Sequence, residues 1–159
     1  VPPTPLTATV RYIPPGTRKI YWITTIATYT APSRGELNAG IDLTNEVAAI
    51  AGFTTTSDTS DTPDLSGRFV PKIAGRIKAE DSSLSFYASN TSSDVRTVLP
   101  RDTVGFAVFL WEGDVTGQRM DVFPAKVTSS VLDGNMEDPQ QVNVSFAITR
   151  VPAANVVIP

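Results

Sequence analysis

The stretch Thr103–Val127, TVGFAVFLWEGDVTGQRMDVFPAKV, decides the fold. Thr103 to Trp111 is apolar at nearly every position and rich in Val and Phe. It is too short to cross a membrane and is bounded by turn residues, so it predicts a strand buried on both faces. Glu112 to Gly117 (EGDVTG) holds two glycines and an aspartate, the chemistry of a hairpin loop. Gln118 to Phe123 resumes in extended form, and Pro124 interrupts it. Such a hairpin needs sheet on both sides and a second layer over it. Nothing in it has the chemistry of an active site.

The composition agrees. The chain has 159 residues, 41% hydrophobic, enough for one core and too few for two. Thirteen prolines and ten glycines among many Thr, Ser and Val favour a β protein with frequent turns. The net charge of −3 argues against tight nucleic-acid binding, which needs clustered Lys and Arg. There is no cysteine and no histidine. That excludes disulfides, Cys/His zinc sites and any Ser-His-Asp or Cys-His mechanism within one chain. No run reads as a signal peptide or a membrane span, so synthesis in the cytoplasm is the expectation.

Outward from the hairpin, the N-terminal VPPTPL predicts an extended arm over residues 1–6. Thr7–Ile13 (TATVRYI) alternates as a strand and ends at Pro14-Pro15-Gly16. Arg18–Thr30 predicts a long strand, with Ile20, Trp22 and Ile26 on one face and Tyr21 and Ile23 on the other. Ser33 and Glu36 have capping-box spacing, but Gly35 and Gly40 favour a tight connection over a helix. Asp42–Phe53 leans to strand. Residues 54–67 form a long polar loop. Arg68–Lys78 predicts a strand with Ile73 and Ile77 inward and a bulge at Gly75. Ser82–Ala88 follows as a strand, and Thr91–Leu99 as a helix capped by Ser92 or Ser93 and stopped by Pro100. Pro124–Leu132 and Val142–Thr149 complete the strands, and 151–159 is an apolar C-terminal arm suited to docking on a neighbour. The sum is one all-β domain over 1–159: a β-sandwich or partly closed barrel of about eight strands with one short flanking helix.

Chemical motifs are weak. Asp58, Asp61 and Asp64 recur every third residue but lack calcium-loop spacing and read as solvated loop. Glu80-Asp81, Glu112/Asp114 and Glu137-Asp138 sit beside turns, where acidic residues are expected without catalysis. Trp22 and Trp111 lie in apolar strands and read as core rather than sugar platforms. No enzyme activity, cofactor or metal is expected. The alternative to a structural subunit is a β-sandwich module binding carbohydrate or a receptor.

The order of features resembles the major tail tube proteins of long-tailed, siphovirus-type bacteriophages. The likeness spans Ser33–Pro152: SRGELNAGIDLT, the Thr/Asp-rich loop, RFVPKIAGRIKAEDSSLSFYAS, the short helix, the central strand, GDVTGQRMDVFPAKVTSSVLDG and VNVSFAITRVP. The resemblance implies a structural virion protein whose copies form hexameric rings stacked into a tube, through which DNA passes without specific binding. It also implies tape measure, tail terminator and distal tail proteins as partners, and no membrane. Acidic residues facing the lumen are expected to repel phosphate. The inter-subunit contact candidates are Thr54, Asp58, Asp61, Asp64 and Arg68 in and beside the loop, Pro2 and Pro3 in the first arm, and Val156, Val157 and Ile158 in the last.

Overall fold

The computed structural model describes residues 2–91 and 94–159. Within them lie ten strands and two short helices: β1 (Lys19–Ile23), α1 (Arg34–Asn38), β2 (Ile41–Asp42), β3 (Val47–Ala51), β4 (Thr55–Asp61), β5 (Lys72–Ala79), β6 (Ser82–Tyr87), α2 (Val95–Val98), β7 (Val104–Leu110), β8 (Arg119–Leu132), β9 (Gln141–Ile148) and β10 (Ala153–Val157). β7 is buried on both faces, as its composition predicts. Phe106, Val108 and Leu110 enter one cluster, Ala107 and Phe109 the other. β8 returns antiparallel to it and runs straight through Pro124, so the two expected strands are one. Pro124 accepts from Thr149 N–H, which fixes its missing donor on the same edge. There the partner of β8 changes from β10 to β9, so the missing donor sits where one ladder gives way to the next.

The main sheet has the order β2-β1-β7-β8-β9-β6-β3, with β10 added to the first half of β8. Because β8 serves both halves, the sheet folds over itself. One cluster fills the fold: Ile20, Trp22, Phe109 and Phe123 meet Leu84, Phe86, Val144 and Phe146. Trp22 fits because Gly105 leaves it room; a Cβ there would come within 2.7 Å of the indole. A second cluster covers the outer face of β1-β7-β8 with Leu37 of α1, Ala153 and Ile158. The sheet ends at β2 and β3 without closing into a barrel.

Several sequence expectations are corrected. Thr7–Ile13 is not a strand; residues 2–15 are exposed and have no sheet partner among the described residues. β1 stops at Ile23, where its pairing with β7 ends at Phe106, so Ile26 turns into the cluster of Tyr21 and Ile23 rather than that of Trp22. The capping box does start a helix: Glu36 N–H donates to Ser33 Oγ, and the Glu36 carboxylate accepts from Ser33 N–H at 2.7 Å. The second helix is capped by Asp94, which accepts from Arg96 N–H; Ser92 and Ser93 lie outside the described residues.

Candidate assembly site

The stretch read as a polar loop is half of a hairpin. Thr55–Asp61 pairs antiparallel with Lys72–Ala79 to make a separate two-stranded sheet, inserted between β3 and β6. Its lack of apolar residues hid it, although its threonines favour extended backbone. At about 3.4 Å per residue its seven-residue strand spans roughly 24 Å. Every residue of both strands is exposed. Gly75 does mark a bulge: Ser57 pairs with Ile77 and Thr59 with Ala74, leaving Gly75 and Arg76 opposite Asp58. The bulge shifts the phase, so Ile73 and Ile77 lie on opposite faces and neither points inward; Ile77 is 65% exposed. Asp58 pairs with Lys78 and Asp61 with Lys72, each at 3.1 Å. Asp64 folds the tip by accepting from Ser66 N–H. Arg68 lies at that tip, beside Leu65, Phe69 and Val70, all exposed.

The base of this arm is fixed by a residue the sequence reading passed over. Phe53 is buried against Phe109, Phe123 and Phe146, with centroids 4.7–5.7 Å away. It has a φ of 58°, and Gly52 before it a φ of 75°. Its N–H donates to the buried Ser82 Oγ, and Thr54 C=O accepts from Glu80 N–H. The usable signal was a lone aromatic between a glycine and a polar run, where a chain leaving a core needs an anchor.

The two terminal arms differ. Pro2 and Pro3 are exposed, and the first segment touches the fold through Tyr12 Oη, which donates to Trp111 C=O at 3.3 Å. The last segment is no free arm. β10 pairs with β8, Ile158 is 0% exposed, Val156 is half-buried, and of these three candidates Val157 alone faces out. Its apolar residues dock on their own chain because Met120 and Val122 of β8 need a cover. Asp121 locks the join, accepting from Trp111 Nε1 at 2.7 Å and Asn155 N–H at 2.9 Å.

Residues 7–159 match the family described as phage tail tube protein. The chain belongs to the phage tail tube protein family. It is therefore a structural component of a phage tail, in a family that is not typically enzymatic. No curated protein matches it in sequence. Among solved structures it is similar to a chain of the anti-feeding prophage (AFP) baseplate, solved by cryo-EM and 6-fold symmetrised. The TM-score is 0.58 at 10% identity, over 91% of this chain and 94% of that one, a likeness of fold.

Three further candidate side chains in this tail tube family member, Trp22, Trp111 and Asp114, are engaged within the fold. Trp22 is buried, and Trp111 stacks on Phe109 at 5.1 Å beneath the Arg18 guanidinium. Asp114 holds three elements together: it receives Arg34 of α1 in a bidentate pair and Tyr21 Oη of β1 at 2.9 Å. Arg34 and Tyr21 hold the Asp114 carboxyl below its usual range despite partial burial. Burial, then the bond to Asp114, pushes the Tyr21 phenol up to about 12. Among the described residues no group of three or more acidic, Cys or His side chains is placed to hold a metal.

Proposed function

We propose that this chain is the repeating subunit of the tail tube of a long-tailed phage. Copies form six-membered rings, and the rings stack into the conduit through which DNA is ejected. The β4–β5 arm carries this reading. An isolated two-stranded ribbon is marginal in water, and this one has no layer over either face and an apolar tip. A neighbouring copy supplies the missing layer. Tape measure, terminator and distal tail proteins fit the interior and ends of such a tube.

The face best suited to the lumen is the outer side of β3, β6, β9 and the far half of β8. It presents Ala49, Ala51, Ser83, Ser85, Asn143, Ser145 and Ser129, with Lys126 as the charged position, opposite Ala147. Lys126 stands at its margin and is paired with Asp102 at 2.8 Å. DNA passes such a surface because it finds no unpaired cation on these strands to bind, rather than through the acidic repulsion expected from net charge. The test is electron microscopy of the concentrated full chain beside a Leu65→Asp/Phe69→Asp variant. Rings or hollow tubes from the first alone are expected. A chain that stays monomeric, even when seeded with tail fragments, overturns the reading.

A further inference from the structure

The turn between β8 and β9, residues 133–140, is exposed throughout. It opens with Asp133-Gly134, the single place in the sequence where Asp or Asn precedes Gly. Nine aspartates hold a hydrogen bond or an ion pair through the carboxylate. Among the described residues Asp81 and Asp133 hold none. The residue that follows separates these two. After Asp81 comes Ser82, 3% exposed and paired with Phe146 in β6. After Asp133 comes Gly134, whose N–H makes no hydrogen bond among the described residues and whose missing Cβ leaves open space. The peptide between them is held on both sides. Asp133 N–H donates to Gln141 C=O at 2.8 Å, and Asn135 Nδ2 donates to Asp138 at 2.8 Å. Gln140 Nε2 donates to Asp133 C=O, the oxygen of that same peptide.

We propose that Asp133 is a self-modification site, at which the folded turn converts Asp133-Gly134 to an isoaspartyl linkage with the help of Gln140. Gly134 N attacks Cγ of the neutral Asp133 carboxyl. The amide proton and the carboxyl hydroxyl leave as water, and a succinimide forms. Water then adds to the main-chain carbonyl carbon of Asp133, the bond from that carbon to Gly134 N breaks, and the chain continues through Cγ. One water leaves and one returns, so the product keeps the mass and the net charge of the starting chain. An unpartnered carboxyl next to an uncrowded amide nitrogen supplies the proximity. As Gly134 N gives up its proton, charge spreads onto Asp133 O, where the Gln140 donor stabilises it. In the product that oxygen belongs to a free carboxylate, which the same donor holds by a stronger, charge-assisted bond. The turn then carries one more backbone carbon at the end of the β8–β9 hairpin. None of this depends on the chain's assembly or on what the tube conducts.

The full chain is aged for weeks in neutral buffer and digested with trypsin. Isoaspartate is read by enzymatic methylation of its free carboxyl and placed by electron-transfer fragmentation. The expected label lies in the peptide spanning residues 127–150, at Asp133, with a succinimide form one water lighter preceding it. Gly134→Val crowds the nitrogen and should cut the label by roughly tenfold. Gln140→Ala should slow its appearance by about threefold in the folded chain, and the two chains should age alike in guanidinium chloride. Label absent from that peptide, or no greater there than at Asp81, overturns the inference. Ageing of Gln140→Ala at the unaltered rate, or a difference that persists in denaturant, removes the folded turn from the reaction and overturns it too.

Discussion

Phe53 shows how a single residue sets a boundary between core and projection. Its ring belongs to the aromatic cluster, while the next residue begins an arm without a core. Phe53→Ala is expected to cost about 3–5 kcal/mol, read as a lower urea midpoint with unchanged slope. A Cβ on Gly52 would lie 2.1 Å from Asp81 C=O, so Gly52→Ala adds a backbone clash to a left-handed φ and should reduce stability further. The Asp114 junction makes a prediction in pH. Its carboxyl is depressed in the folded chain, so its contribution is present above about pH 4 and fades as pH falls through the folded value. Tyr21 is raised to about 12, so its contribution is complete below about pH 10 and is lost as pH rises toward 12. Asp114→Asn should lower the melting temperature at pH 7 and flatten its fall between pH 5 and pH 3. A parallel, undiminished acid slope in the variant would assign that slope to other carboxylates, Asp94 first, which Arg96 holds well below its usual range.

At the scale of elements, what could be read in the sequence was what packs on itself. β7 announced two-sided burial, the capping-box spacing of Ser33 and Glu36 was visible beneath two glycines, and β9 alternated as it folds. What could not be read depended on partners distant in sequence. TATVRYI alternates as well as β9, yet finds no strand to pair with among the described residues. The Thr/Asp run has β propensity but no apolar face, so periodicity had nothing to register. The last nine residues are the instructive case. Apolar residues between prolines suggested an arm suited to docking on a neighbour. Instead Ile158 is buried, and its N–H and C=O bond Gln118 and Gly117. Ending the chain at Pro152 therefore uncovers Met120 and Val122 and should destabilise the monomer; Ile158→Ala alone should cost about 2–5 kcal/mol by urea unfolding. Removing the arm tip, residues 63–70, is the contrasting case. It exposes nothing buried, so the melting temperature should hold while assembly fails. Equal losses of stability in both deletions would mean that the arm packs on its own chain in solution.

The whole molecule divides into a folded sheet that buries its apolar residues and projections that do not. The sheet in turn has one outer face rich in Ser, Ala and Asn, with the ion pairs Lys19–Asp42 and Lys126–Asp102 elsewhere along it. Net charge, which suggested a repulsive acidic lumen, averages over these surfaces and so could not distinguish them. If that face lines the conduit, a cation placed there is repeated in every subunit of every ring, and affinity for phosphate grows with the number of contacts. Ser85→Lys with Ser145→Lys introduces two cations per subunit on neighbouring strands, where Ser83 pairs with Ser145 and Ser85 with Asn143. Tubes of unchanged width are expected, because neither serine supports the core. They should retain linear duplex DNA at low salt and release it steeply as salt rises. Closed circular DNA decides the location, since it has no end to thread. Lysines in the lumen capture linear DNA and leave circles unbound, whereas lysines on the outer wall capture both. Failure of the variant to form tubes would instead place this face between subunits, and the lumen would then have to be sought among the charged surfaces.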